Sequence, residues 1–452
     1  MASPPSNGSH PEGVFSFLDT DLYKLTMQCA VLKFFPSIEV AYAFTNRTPS
    51  MRLNRAAFAW LETQIAKLAD ITLSYRELGF LRKHCPYFGD EYLGFLQNFR
   101  LRPREQVRLR FEGVDEEGYG DLGIEVAGLW VETILYEIPL LALTSEAFFR
   151  FVDTDWGYEG QEEKAYEKGV KLLKGGCSFS DFGTRRRRDF ETQRRVVRGL
   201  VRASKDVSGP GTGTLSGTSN VYMAMESGIN PIGTVAHEWY MGIAAITDNY
   251  ETANEQGLRF WMQCFGKGVL GVALTDTFGT PNFFKAFKKP IQARRRSSAA
   301  YDAAKEAVQQ PSFAEVYTGI RQDSGDPKEY VKLAAEFYEA HGFPKRTIVF
   351  SDSLNVDLCF EYKKVAEQHG FVPSFGVGTF FTNDYTHKSS PETKSKPLNI
   401  VIKLSKAGGQ PAVKISDNAG KNTGDASAVK RVKDQLGYTE GGWEGVEENS
   451  RW

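Results

Sequence analysis

The sequence predicts an α/β protein in which an irregular or incomplete (β/α) barrel is joined to an α+β domain built from the N-terminal part and the C-terminal tail. Three observations carry this expectation. Beyond about Leu143 short β-like runs alternate with helical patterns, which implies parallel strands with right-handed crossovers. Before that point helix and strand patterns mix without strict order, as in an α+β unit. A chain of 452 residues also exceeds what one ordinary hydrophobic core organises. The expected boundaries are a disordered tail over 1–13, an N-terminal α+β domain over 14–145 joined by 395–452, and an α/β barrel-like domain over 146–394.

The ordered chain is expected to begin near Val14. Asp19, Thr20 and Asp21 offer helix caps, and Leu22, Leu25, Cys29 and Leu32 recur at helical spacing until Pro36. Ile38, Val40, Tyr42 and Phe44 alternate with small or polar residues, as a half-buried strand does. A helix is expected around Phe58 to Leu68, then a strand through Val107, Leu109 and Phe111. The β-like runs of the second part are Cys177–Phe182, Pro231–Ala236, Val269–Thr275, Val316–Ile320, Thr347–Phe350 and Val372–Gly376. Helical patterns between them include Pro327–His341 and Asn355–His369. In the tail, His387 to Lys396 reads as a polar surface loop. Asn399–Leu404 and Pro411–Ile415 read as two strands that pair with the N-terminal unit.

Composition narrows the function classes. Apolar residues make up 41% and charged residues 25%, the balance of a folded globular protein. The formal net charge of −1 gives no global field for nucleic acid or an anionic membrane. Basic residues do cluster, at Arg185–Arg188, Arg194–Arg195 and Arg294–Arg296, and such runs usually face solvent. Five cysteines lie far apart with no Cys-x-x-Cys pair, the usage of buried free thiols in a reducing compartment. The Ser-, Pro- and Gly-rich start has no apolar signal region, and no apolar run is long enough to cross a bilayer. The expectation is a cytoplasmic protein with nuclear access open.

The chemistry is concentrated in the turns at the ends of the β-like runs. They read Asp181-Phe182-Gly183-Thr184-Arg185, His237-Glu238-Trp239, Asp276-Thr277-Phe278-Gly279, Arg321-Gln322-Asp323-Ser324-Gly325-Asp326, Ser351-Asp352-Ser353 and Gly376-Val377-Gly378-Thr379. Side chains at the carboxyl ends of successive parallel strands converge on one mouth. Gly376-x-Gly378-Thr379 lets backbone N–H groups approach a phosphate closely. Asp323 and Asp352 suit ribose hydroxyls or the waters of Mg²⁺, although Asp352 also suits a helix cap. Arg185 can pair with phosphate oxygens while its neighbours stay solvated. Arg321 suits a substrate carboxylate, or an internal ion pair with Asp323 or Asp326. His237, one of six histidines, has Glu238 beside it and Asp276 on the neighbouring strand end. A carboxylate there fixes the tautomer and raises nucleophilicity.

Taken together, Thr20-Asp21-Leu22-Tyr23-Lys24-Leu25-Thr26-Met27, Asp181-Phe182-Gly183-Thr184-Arg185-Arg186, Gly217-Thr218-Ser219-Asn220, Gly233-Thr234-Val235-Ala236-His237-Glu238, Asp323-Ser324-Gly325-Asp326 and Phe375-Gly376-Val377-Gly378-Thr379 resemble the nicotinate phosphoribosyltransferases over nearly the whole chain. The resemblance implies that nicotinate and 5-phosphoribosyl 1-diphosphate (PRPP) give nicotinate mononucleotide and diphosphate. It implies ATP as co-substrate, hydrolysed through a phosphohistidine at His237. Tyr23 and Phe182 would sandwich the pyridine ring, and Thr234 and Arg321 would hold its carboxylate. Arg185, Asp323, Gly378 and Thr379 would serve the ribose phosphates. No direct metal ligand is assigned; Mg²⁺ would enter with the substrate phosphates. The implied partners are these small molecules, with no nucleic acid or membrane, in a monomer or homodimer. Because Tyr23 belongs to the N-terminal unit, the pocket needs a domain or subunit interface. The nearest rival is the nicotinamide-using relative, which carries an acidic residue where this chain has Ser219. A quinolinate-using relative would need more cations. A non-catalytic basic-patch protein on the same fold is the rival from another class.

Overall fold

The computed structural model describes residues 11–291, 310–418 and 422–438. Residues 1–10, the Arg294–Arg296 cluster and the end beyond Tyr438 lie outside them. The chain is a mixed α/β protein with one largely antiparallel and one parallel six-stranded sheet.

The antiparallel sheet is formed by β1 (Glu39–Asn46), β2 (Leu53–Asn54), β3 (Val107–Glu112) and β4 (Tyr119–Leu129) with two strands from the far end of the chain. The parallel sheet comprises β5 (Ser178–Asp181), β6 (Thr214–Thr218), β7 (Val272–Leu274), β8 (Gly319–Gln322), β9 (Thr347–Phe350) and β10 (Val372–Val377) in the order β6-β5-β10-β9-β8-β7. A hairpin of β11 (Tyr385–Thr386) and β12 (Lys394–Ser395) closes the polar insert. β13 (Ile400–Ala407) and β14 (Gln410–Pro411) complete the first sheet. β13 lies antiparallel to β1, from Val40 opposite Ala407 to Asn46 opposite Ile400. The tail therefore returns to the N-terminal strands and carries Val401–Leu404 with it.

The helix Leu22–Phe34 ends two residues before Pro36, whose ring disfavours helix in the residue before it. Asp21 stands at its N-cap but makes no side-chain cap, because its carboxylate accepts from the Ser219 hydroxyl at 2.8 Å. The helix Glu137–Phe151, nearly all buried, packs against both the helix Arg55–Lys67 and the Thr184–Arg186 turn, so one apolar rod supports both parts of the chain.

Four expectations are corrected. Pro231–Ala236 is not a strand: only Pro231 makes a bridge, to Thr218. Proline lacks the donor a ladder needs, and Gly233 passes so close to Tyr23 that a Cβ there would sit 3.0 Å from its amide nitrogen. In its place Thr214–Thr218 forms β6, a run in which Leu215 stands among small and polar residues without alternation. The strand expected at Val316–Ile320 is shifted, with Phe313–Val316 one helical turn and β8 beginning at Gly319. Pro411–Ile415 is reduced to the two residues of β14, followed by an extended segment that crosses to the other sheet, where Ile415 N–H donates to the Thr277 carbonyl at 2.8 Å.

The arginine run is the fourth correction, because Arg187 and Arg188 are not solvated. Arg187 is 1% exposed and forms a bidentate pair with Asp19 at 2.7 and 2.6 Å. Arg188 is wholly buried, donates to Asn383 and Ser395, and stacks over Phe149 and Tyr385 at 4.0 Å. Two of the four arginines thus fasten the strand-end turn to its surroundings and present no basic surface.

Candidate active site

The carboxyl ends of β5, β8, β9 and β10 face the β13 strand and the start of the Leu22–Phe34 helix across a cleft with two lobes. One lobe is walled by Tyr23, Phe182, Thr234, Met241, Ile402 and Leu404, with Arg321 at its side. The other carries six cationic side chains, Arg47, Arg185, Arg186, Arg321, Lys403 and Lys414, against the carboxylates of Asp323 and Asp352. That excess of positive charge suits phosphate groups. Phe182, Arg185, His237, Arg321, Asp323, Val401, Lys403 and Lys414 line both lobes. Residues of this one chain thus wall the cleft from the N-terminal helix, the parallel sheet and the returning tail.

His237 lies where the lobes meet. It is the first residue of the helix His237–Thr247, whose N-cap Ala236 supplies no side-chain cap. The helix dipole there favours a neutral imidazole and an incoming anion. Nδ1 lies 3.0 Å from the Thr277 hydroxyl. Nε2 lies 3.1 Å from Asp323 Oδ2 and 2.9 Å from Lys414 Nζ. An ammonium donates only to a lone pair and a carboxylate accepts only from N–H, so Nε2 sits between two tautomers. Thr277, able to donate or accept, serves either. Burial and the Lys414 charge lower the His237 pKa below 6.5, against the pull of Asp276 and Asp323. The ring is thus neutral near pH 7, with one nitrogen lone pair available.

The carboxylates beside it sort differently from the sequence order. Glu238, next in the chain, turns away: it accepts from Lys24, from the Tyr42 hydroxyl at 2.6 Å and from Trp130 Nε1 at 2.8 Å. Neighbours on a helix are about 100° apart, so adjacent residues cannot share a face. Asp276 is 3.9 Å from Nε2 and 3.5 Å from Lys414, accepts from Ser324, and keeps Oδ1 buried without a hydrogen bond. Asp323, expected at the ribose, is the carboxylate nearest His237. Burial works to raise its pKa, but Arg321, His237 and Lys414 outweigh that and hold it well below the usual carboxylate range.

Arg321 extends from β8 and donates from Nε to Ser351 Oγ at 2.7 Å, from NH1 to Thr234 Oγ1 at 2.8 Å and from NH2 to Asp323 Oδ1 at 2.7 Å. It joins the turn before His237, the β8 end and the β9 end into one fork. Gly376 belongs to β10, and a Cβ there would lie 2.4 Å from the Phe182 ring, so its bare backbone makes room for that ring. Gly378 and Thr379 follow at the entrance to the short helix Thr379–Thr382, both lining the cationic lobe. Asp352 lines the same lobe and is not the cap of the next helix, a role taken by Asn355.

Sequence reasoning missed Lys414, Lys403 and Arg47. Each comes from the antiparallel sheet or its extension, far along the chain from the turns that carry the motifs. For Lys403 and Lys414 the only local signal was charge within an otherwise apolar run, as in Ala412-Val413-Lys414-Ile415, and Arg47, in Thr45-Asn46-Arg47-Thr48, had none.

Comparison with known proteins places the whole chain in a family. The family model described as nicotinate phosphoribosyltransferase (NAPRTase) family matches 177–440, and that of its N-terminal domain matches 18–145. A Schizosaccharomyces pombe protein named "Probable nicotinate phosphoribosyltransferase" is 48% identical over 425 residues, 94% of this chain and 98% of its own. The Saccharomyces cerevisiae nicotinate phosphoribosyltransferase is 43% identical over 443 residues, 97% of this chain and 98% of its own. The crystal structure of nicotinate phosphoribosyltransferase from Porphyromonas gingivalis superposes with a TM-score of 0.78 at 32% identity, covering 94% of this chain and 100% of that one. With both family models matched across the two sheets and relatives aligned almost end to end, this chain belongs to the nicotinate phosphoribosyltransferase family.

Proposed function

We propose that this protein joins nicotinate to PRPP, giving nicotinate mononucleotide and diphosphate, and couples the step to ATP hydrolysis through a phosphoryl group carried by His237. The observation that carries the reading is the place of His237, at the junction of an aromatic-walled lobe and a cationic lobe. Its ring is neutral, and Asp323 and Lys414 are both in contact with Nε2.

The parallel sheet and its helices are read as an incomplete (β/α) barrel, with the site at its strand ends. In the first lobe Tyr23 and Phe182 bracket the pyridine ring, and Thr234 with Arg321 receives its carboxylate. In the second, Arg185, Gly376, Gly378 and Thr379 bind the phosphates of PRPP, and Asp352 and Asp323 face its ribose. The pyridine nitrogen forms its bond to C1 of the ribose as the C1–O bond to diphosphate breaks. In the coupled half-reaction a neutral His237 nitrogen attacks the γ-phosphorus of ATP, and ADP leaves. Water later takes the phosphoryl group and restores the histidine. Lys414 then faces the transferred charge, worth more in this buried setting than in water.

His237, Asp276 and Asp323 bring ligand atoms within 4.8 Å of one another. Lys414 already fills that space with its own positive charge, so a protein-only metal cage does not fit. Mg²⁺ fits instead as a companion of the substrate phosphates.

Nicotinamide is the competing substrate within this fold. Ser219 donates to Asp21, leaving no added acid at that position to meet an amide, while Arg321 suits a carboxylate. The basic-patch reading loses part of its support because Arg187 and Arg188 are buried. No helix among the described residues is long and apolar enough to cross a membrane. A diphosphate-release assay with nicotinate, nicotinamide and quinolinate, with and without ATP, tests the proposal. Nicotinate should be preferred and ATP should stimulate; equal use of nicotinamide would overturn the substrate assignment.

A further inference from the structure

Against the wall of the aromatic lobe lies a charged cluster that the chemistry above does not use: Glu137 and Glu238 line the lobe, and a lysine stands behind them. Lys24, in the first turn of the Leu22–Phe34 helix, is wholly buried and does not line either lobe. Its ammonium bridges Glu137 Oε2 at 2.5 Å and Glu238 Oε2. On one side Glu137 shares a hydrogen bond with Tyr23 and faces Arg185 NH1 at 3.6 Å, and both of those side chains line the aromatic lobe. On the other side Glu238 belongs to the helix turn that begins with His237. It is pinned there by Tyr42 of β1 and by Trp130. One ammonium thus joins the wall of the ring pocket to the base of the histidine.

A buried group of two carboxylates and one cation is costly to desolvate, and an apolar replacement of similar shape is often no less stable. Stability alone is therefore a weak reason for this arrangement. We propose that Lys24 is a positioning residue that couples occupancy of the pyridine lobe to the phosphorylation state of His237. The inference rests on the ATP-coupled reading above. A ring entering between Tyr23 and Phe182 changes how Tyr23 and Arg185 share Glu137. Lys24 then redistributes its contacts between Glu137 and Glu238 and shifts the helix start that carries His237. By linkage the effect is reciprocal: phosphorylation changes nicotinate affinity by the factor with which nicotinate changes the phosphorylation equilibrium.

The test is nicotinate binding by calorimetry to enzyme with and without prior ATP treatment, with the phosphorylated fraction measured in parallel by acid-labile label. Wild type should show an affinity ratio of roughly five- to 150-fold between the two states, the usual span of such coupling. Lys24→Met should take label as wild type does while the ratio collapses to within about twofold, and Lys24→Arg should restore part of it. A merely structural lysine would weaken both states in parallel and leave the ratio intact, which would overturn the proposal. If Lys24→Met does not fold, Lys24→Met combined with Glu137→Gln keeps the same net buried charge and carries the same prediction. A wild type that is labelled but binds nicotinate equally in both states refutes the coupling and leaves the phosphohistidine standing. A wild type that takes no label removes the ATP-coupled reading, and the coupling with it.

Discussion

Replacing Arg321 by alanine removes three donors at once, those held by Ser351, Thr234 and Asp323. The guanidinium is only 14% exposed, and Asp323 keeps 21% exposure, so neither side of the pair is well solvated once the other is gone. Truncating one partner of a buried, hydrogen-bonded charge pair costs about 2–5 kcal/mol. If that cost falls on the transition state, kcat/KM for nicotinate drops roughly thirty- to several-thousand-fold. Because Asp323 also faces His237, the loss divides between the carboxylate grip and the orientation of the histidine. Single-turnover diphosphate release, with enzyme in excess and nicotinate varied, separates the two contributions. A loss in nicotinate affinity reports the grip, and a loss at saturating nicotinate reports the histidine. A specificity constant within about threefold of wild type would refute the place given to Arg321 in the site.

The same geometry sets three further outcomes. Gly376→Ala puts a methyl group against the Phe182 ring; overpacking of this kind costs about 1–3 kcal/mol, so the nicotinate KM should rise roughly five- to 150-fold while the PRPP KM moves less, as steady-state kinetics with each substrate varied will measure. His237 acts as a nucleophile only when neutral, so labelling by ATP should fall as pH drops through a pKa below 6.5 and level off above it. Lys414→Met removes one of the two influences that depress that pKa, and the limb should move to higher pH; an unmoved limb would separate Lys414 from His237. Asp19→Asn breaks the buried pair with Arg187, which costs about 3–5 kcal/mol and should lower the denaturant midpoint, while surviving native enzyme keeps its nicotinate KM.

Much of the scaffold was legible because helical and alternating patterns are local. Leu22, Leu25, Cys29 and Leu32 announced the first helix, and the apolar run Thr347–Phe350 coincides with β9. The strand Thr214–Thr218 was not legible, since one leucine among threonine, serine and glycine reads as a loop until Phe179 pairs with Leu215. The arginine run misled for a related reason. Charge runs usually face solvent, and only tertiary partners as distant as Asp19 and Asn383 bury Arg187 and Arg188. At the site, most of the turn residues could be read because they stand at a strand end; His237 is the exception, since the run before it, Pro231–Ala236, is not a strand. Glu238 was weighed as a partner of His237 because it is adjacent in sequence, yet helix geometry turns the two apart. Asp323 meets the histidine because β8 points it there, and Lys414 meets it because the tail crosses back between the sheets. Neither contact has a spacing that a single sequence could display.

The phosphorylated histidine is the claim on which the rest depends, and incubation with γ-labelled ATP tests it most directly. Wild-type protein should acquire acid-labile, base-stable label that maps to the peptide containing His237, and addition of nicotinate with PRPP should discharge it. His237→Asn should acquire none. Label that persists in His237→Asn, or a wild type that releases diphosphate with ATP stimulation but never takes label, would contradict the account.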